Sequence, residues 1–166
     1  QEDPRQYDSR KDEIQSIDGT GGNLKLETAL KYMNGNAPLL DPALSDCDVT
    51  NFVIDSREIK AGDVFFALSQ PEYAANGFNG DFDDSTKYAA AALATGAIAA
   101  VVRRDRFAEH KGELKQYEDR LIFVEDAISA LQKLAHGVYL EWTKPVVAIT
   151  GSAGNTTAKE LTAPIL

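Results

Sequence analysis

The chain has 166 residues, of which 43% are hydrophobic and 26% charged, and it carries a formal net charge of −9. That length holds one domain and the beginning of a second. Such acidity excludes nucleic acid or an anionic membrane as a partner held by bulk electrostatics, though not a small anion held locally by backbone N–H groups and one arginine. The single cysteine, Cys47, rules out an intrachain disulfide and a cysteine zinc site. His110 and His136 are not at metal-ligand spacing and read as a surface histidine and a helix histidine. No run approaches the roughly 20 apolar residues that cross a bilayer, and no signal peptide is visible, which points to the cytoplasm.

Residues 1–23 are polar, charged and without hydrophobic period, and read as a flexible leader. Leu24, Leu26, Ala29, Leu30 and Met33 then give a short amphipathic helix closed by Asn34-Gly35. Two strands follow, Val49 to Ile54 and Val64 to Leu68, the second approached through Ala61-Gly62-Asp63. Residues 69–82 (SQPEYAANGFNGDF) read as a long loop, of a length that is usually functional. Asp83 to Ala94 is an alanine-rich helix stopped at Thr95-Gly96, and Ala97 to Val102 is the next strand.

Residues 103–120 are charged and weakly periodic, as in an exposed loop or short solvated helix. Leu121 to Val124 is a strand, and Ala127 to Leu140 an amphipathic helix with Asp126 at its start. Pro145 to Thr150 is a buried-type strand running into Gly151-Ser152-Ala153-Gly154, with a helix from about Thr156. Strands alternating with helices predict an α/β fold with a mainly parallel sheet. Glu141 to Lys144 is the expected junction, giving a domain over 24–143 and the start of another over 144–166. The chain begins at Gln1, has Met33 as its only methionine, and stops at Leu166 within a predicted helix, and so reads as a piece of a longer protein.

Two constellations can carry chemistry. Thr150 to Thr157 (TGSAGNTT) lies between a strand and a helix, the setting of a phosphate loop. Small residues let the backbone curl round an anion, and the helix start presents its N–H groups. The usual loop adds a lysine for the β- and γ-phosphates and a hydroxyl for Mg²⁺. Here the lysine position is Asn155, which brings no charge, and Pro164 falls in the following helix, where it costs about 3 kcal/mol in an interior position. An ordinary strand-to-helix turn fits the same spacing. The second constellation is Asp55-Ser56-Arg57 at a strand end. It can offer a hydroxyl and a guanidinium to a ligand. It reads equally as a turn capped by Asp55, with Arg57 paired to an acidic neighbour.

The ordered segments IDSR (Ile54 to Arg57), AGDVFFAL (Ala61 to Leu68), TGAIAAVV (Thr95 to Val102), LIFVEDAISALQKLA (Leu121 to Ala135) and PVVAITGSAG-TT (Pro145 to Thr157) resemble the Mur ligases. These are ATP-dependent amide ligases of peptidoglycan precursor synthesis. GSAG-TT followed by Lys159-Glu160 is similar to the D-alanyl-D-alanine-adding, MurF-type member, with the MurE-type tripeptide ligase as the alternative. The resemblance implies a three-domain enzyme. Its first domain holds the UDP end of UDP-N-acetylmuramoyl-tripeptide, its second binds ATP and Mg²⁺, and its third closes over them. ATP phosphorylates the peptide carboxylate, the amine of D-alanyl-D-alanine attacks the acyl phosphate, and ADP and phosphate leave.

Residue by residue, Ser56 and Arg57 match the family's uridine-diphosphate segment. Gly151, Ser152, Ala153, Gly154, Asn155, Thr156 and Thr157 match its ATP loop, with the Thr156 hydroxyl at Mg²⁺. Asn155 departs from the family's lysine, so no residue is assigned as catalytic, and this chain alone is expected to bind neither ATP nor Mg²⁺ and to make no bond. Ser69 and Asp84-Ser85-Thr86 depart from a glycine and an Asp-Gly-His triplet. These departures admit a ligase-derived, non-catalytic binding module; an unrelated phosphate-loop protein such as a small kinase fits less well.

Overall fold

A computed structural model describes residues 24–142. The predicted leader, the strand from Pro145, the phosphate loop and the second domain lie outside the described residues. Helix α1 (Leu26–Met33) is ended by Asn34 in the left-handed conformation at φ 54°, as Asn34-Gly35 predicts. Helix α2 (Pro42–Ser45) is started by Asp41, whose side chain accepts from the Ala43 N–H. Strand β1 is shorter than the hydrophobic run suggests, spanning Phe52–Val53, because the chain bends away at Ile54, which is 52% exposed. Strand β2 (Val64–Phe66) follows a 3-10 turn over Ser56–Glu58.

The expected loop 69–82 is a correction: it contains helix α3 (Gln70–Ala75). The helix expected from Asp83 starts later, with a 3-10 turn over Ser85–Tyr88 leading into α4 (Ala89–Thr95). Strand β3 (Ala99–Arg103) comes next. Of the two readings of 103–120, the short solvated helix is the nearer one. The segment folds into α5 (Arg104–Glu109), α6 (Lys111–Leu114) and a 3-10 stretch over Lys115–Arg120, and Leu114 is buried. Strand β4 (Leu121–Val124) and helix α7 (Ala127–Glu141) fall where the sequence puts them, and Asp126 caps α7 by accepting from the Ser129 N–H.

The four strands form one sheet in the order β1-β2-β3-β4, with every pairing parallel. Both faces are covered, which is why the strands read as unbroken hydrophobic runs. Val64, Phe66, Ala99, Val101, Ile122 and Val124 face α1 and α7 in one core. Phe65, Ala67, Ala100, Val102, Leu121 and Phe123 alternate with them and pack against α4 in the other. Ala89 and Ala92 are fully buried, so the alanine-rich helix lies close on the sheet. No helix among the described residues is long and apolar enough to cross a membrane.

Candidate functional site

In a parallel sheet the carboxyl ends of all strands open on one edge, where ligands of α/β folds bind. The segment leaving β1 there is Ile54-Asp55-Ser56-Arg57. The Asp55 carboxylate caps the 3-10 turn by accepting from the Arg57 N–H at 3.0 Å. It also takes the Arg57 guanidinium in a fork, Nε to Oδ1 at 2.9 Å and Nη2 to Oδ2 at 2.5 Å. The reading of this triplet as a turn capped by Asp55, with Arg57 paired to an acidic neighbour, therefore holds, and the same turn is one wall of a cavity.

That cavity, about 450 Å³, is lined by Ile54, Asp55, Ser56, Arg57, Ser85 and Tyr88. Ser85 and Tyr88 come from the 3-10 turn before α4, some thirty residues later in the chain, and were not singled out as ligand-binding residues from the sequence. The Ser85 N–H donates to the Leu68 carbonyl at 2.8 Å, which pins that turn to the chain just past β2. Lys87 lies over the Tyr88 ring, 4.9 Å from its centroid, and pairs with Asp83 at 3.0 Å.

Electrostatically, Arg57 holds the Asp55 carboxyl down to about 2 through the side-chain and backbone hydrogen bonds, and Asp55 in turn raises the Arg57 guanidinium. Arg57 keeps donors unused by Asp55, because a guanidinium carries five N–H groups in a fixed fork. Its side chain is 86% exposed. The cavity is thus lined by the Asp55–Arg57 ion pair, two serines and a tyrosine beside the apolar Ile54. This donor set suits a polar anion with a flat or apolar neighbour, and it contains no base paired with a nucleophile.

The fold brings together a further group that sequence spacing conceals. Asp84, Glu109 and His110 offer ligand atoms within 4.8 Å of one another. Arg106 sits among them, its Nη1 2.9 Å from Glu109 and 3.8 Å from Asp84, so one guanidinium already offsets part of the charge of the two carboxylates. His136 stands exposed on α7, beside a groove between α1 and α7 that also includes Lys31 and Lys133. The ATP-loop residues Gly151 to Thr157, with the Mg²⁺ position assigned to Thr156, lie outside the described residues.

No family model matches the chain. Among curated proteins, the UDP-N-acetylmuramoyl-tripeptide--D-alanyl-D-alanine ligase of Synechocystis sp. is 36% identical over 122 residues, covering 73% of this chain and 23% of the relative. The ligase of the same name from Haemophilus influenzae is 32% identical over 112 residues, 68% of this chain and 21% of the relative. The UDP-N-acetylmuramoyl-L-alanyl-D-glutamate--2,6-diaminopimelate ligase of Vibrio vulnificus is 27% identical over 141 residues, 83% of this chain and 26% of the relative. The chain belongs to the Mur ligase family. It spans about a quarter of the length of these Mur ligases. Its four-stranded parallel α/β sheet is consistent with a Mur ligase domain, and the aligned stretch includes most of the described residues.

Proposed function

We propose that this chain is the substrate-docking part of a D-alanyl-D-alanine-adding Mur ligase, with residues 24–143 as the docking domain and 144–166 as the start of the ATP-binding domain. Its ligand is the uridine-diphosphate end of UDP-N-acetylmuramoyl-tripeptide. The observation that carries the reading is the convergence of Ser56 and Arg57 with Ser85 and Tyr88 in one cavity at the carboxyl edge of the sheet. A diphosphate would meet the free N–H groups of Arg57 and the two serine hydroxyls, while Ile54 and Tyr88 supply contact area for a ring. The reading places the chain in the cytoplasm. In the whole enzyme the amide bond to D-alanyl-D-alanine would form at the expense of ATP with Mg²⁺.

The loop sequence from Gly151 to Thr157 keeps the small residues and hydroxyls that fit a nucleotide phosphate and, at Thr156, Mg²⁺. Asn155 does not fit the charge-neutralising role, so docking rather than bond formation is assigned to this chain. Calorimetry with UDP and with UDP-N-acetylmuramoyl-tripeptide tests the proposal. Both are expected to bind, and Arg57→Ala is expected to weaken both by about tenfold or more, the loss of one charge-assisted hydrogen bond. No heat and no competition by UDP at millimolar concentration overturn it.

Asn155 favours a second reading, a ligase-derived module that has lost catalysis and serves binding alone. Asn155→Lys in the complete protein separates the two: restored ligase activity supports an impaired enzyme, and continued silence supports the module.

A further inference from the structure

Glu72 is a buried carboxylate with no exposed surface, at the third position of α3. Its Oε2 accepts from the Ser69 N–H at 2.8 Å and the Ser69 hydroxyl at 3.2 Å. Its Oε1 accepts from the N–H of Ala127, the first residue of α7, 55 residues further along the chain. The start of α7 therefore has two carboxylates at its positive end: Asp126 takes the Ser129 N–H, and Glu72 takes the Ala127 N–H. Arg103 of β3, paired with Asp105 of α5 at 2.7 Å, is the cation that feels both acids, and Tyr73 is the neighbouring phenol on α3.

The segment 69–84 closes on itself as a compact surface loop. The Gln70 amide donates to the Gly80 carbonyl at 2.8 Å and accepts from the Phe82 N–H at 2.6 Å. Tyr73 stacks on Phe82 with ring centroids 3.9 Å apart, and Phe78 meets Tyr73 edge-on. The loop follows Leu68, two residues past β2, and returns at Ser85, which lines the candidate pocket with Tyr88. Contacts thus run from the start of α7 through Glu72 and α3 to Phe82, and the chain carries on through Asp83 and Asp84 to the pocket wall.

We propose that Glu72 is a positioning residue for the Ser56–Tyr88 pocket: its carboxylate latches the 69–84 loop to the start of α7, and releasing that latch displaces Ser85 and Tyr88 and weakens anion binding. This rests on the pocket being the ligand site proposed above. The switch is the charge on Glu72. Three donors converge on the ionised carboxylate, whereas burial and the nearby Asp126 push it towards protonation, and the net direction is upward. Protonation places a donor among donors, so one of the Ser69 and Ala127 N–H groups loses its acceptor. Because the carboxyl is raised, the latch opens as pH falls, at a higher pH than an ordinary glutamate would give.

Hydrogen exchange of amides 70–82 and Ala127, corrected for intrinsic rates, read beside UDP calorimetry from about pH 4 to 8, tests this. In the wild-type chain, exchange is expected to rise about tenfold as pH falls, and UDP affinity to drop about fivefold more than it does in Glu72→Gln over the same interval. Glu72→Gln should show fast exchange and weak affinity throughout, with only the pH dependence that the terminal phosphate of UDP brings by its own ionisation at about pH 6. Ser69→Ala keeps the carboxylate but removes one donor, and should move the midpoint of both transitions to higher pH, which a purely structural role does not do. Flat exchange in the wild type, an unmoved midpoint in Ser69→Ala, or an exchange transition with a UDP pH profile parallel to that of Glu72→Gln overturns the proposal. Failure of UDP to bind the wild type at any pH overturns the pocket reading itself, and the exchange data tell that outcome apart from failure of the latch.

Discussion

The ring of Tyr32 on α1 lies flat against the backbone of Gly137 on α7, so closely that a Cβ built on Gly137 would stand 2.4 Å from Tyr32 Cγ. The two helices cover one face of the sheet together, and this contact sets how near they come. Glycine inside a helix ordinarily costs about 0.5–1 kcal/mol relative to alanine, so Gly137→Ala would stabilise an isolated helix. Here it drives a methyl group into the root of an aromatic ring, which cannot swing aside as a chain end could. Gly137→Ala is expected to destabilise the domain by about 1–3 kcal/mol, the usual cost of overpacking, measured by urea unfolding. In a Tyr32→Ala background the same change should become neutral or stabilising. Equal costs in both backgrounds would mean that the ring is not the obstacle.

Gly62 is constrained differently. It has a φ of 91°, and a Cβ there would lie 2.3 Å from Thr50 Oγ1. Its carbonyl takes the Thr50 N–H at 2.9 Å, so this turn fixes how the approach to β1 lies beside β2, and hence where Asp55 to Arg57 emerge. Gly62→Ala is expected to cost about 2 kcal/mol by chemical denaturation, from strain and crowding together. Truncating Thr50 to glycine should recover only part, since the positive φ remains. Full recovery would show that φ contributes nothing.

Arg120 holds the turn between α4 and β3 from outside. Its guanidinium donates to the Leu93 carbonyl at 3.0 Å, to the Ala97 carbonyl, and to the Ile98 carbonyl at 3.4 Å. Leu93 belongs to the last turn of α4, whose carbonyls have no partner within the helix. Arg120→Ala is expected to cost about 2–3 kcal/mol, read as a shift in denaturation midpoint without a change in slope. Arg120→Lys should restore less than half of that, because an ammonium cannot fan across three carbonyls. A lysine variant as stable as the wild type would argue that charge, not geometry, is what the turn needs.

These positions separate what the sequence exposes from what it hides. The runs VFFAL, AIAAVV and LIFV announce a sheet buried on both faces, because such strands need no polar alternation. Their ends are less legible: Val49 is buried before β1 begins, and Ile54 is apolar yet exposed beyond it. Helix α3 carried a readable signal, Ser69-Gln70-Pro71-Glu72, a capping pair with proline at the helix start, overshadowed by the Asn and Gly residues downstream. In 103–120, Phe107, Leu114 and Tyr117 pack on the core, but the chain breaks at His110 and the helical period never completes a second turn. Ser56 and Arg57 stand out because a polar triplet ends an apolar strand. Ser85 and Tyr88 reach the same cavity only through the returning loop, and no local pattern marks that.

The Asp55–Arg57 pair gives the candidate pocket a spectroscopic reporter. Asp55 is held at about 2 against an ordinary 3.8, chiefly by the hydrogen bonds from Arg57. The sign follows from the lowered value: the pair favours the folded state above the unfolded carboxyl's range, and that contribution is lost as pH falls towards 2. Both side chains face solvent, so the stability change is small and the titration itself is the measurement. In carboxyl-carbon NMR, Arg57→Ala is expected to return Asp55 towards 3.8. Saturating UDP should move it in the same direction, because a diphosphate that engages Arg57 draws the guanidinium from the carboxylate. An Asp55 titration that responds to Arg57→Ala but not to bound UDP would mean that the ligand meets the cavity without using this arginine.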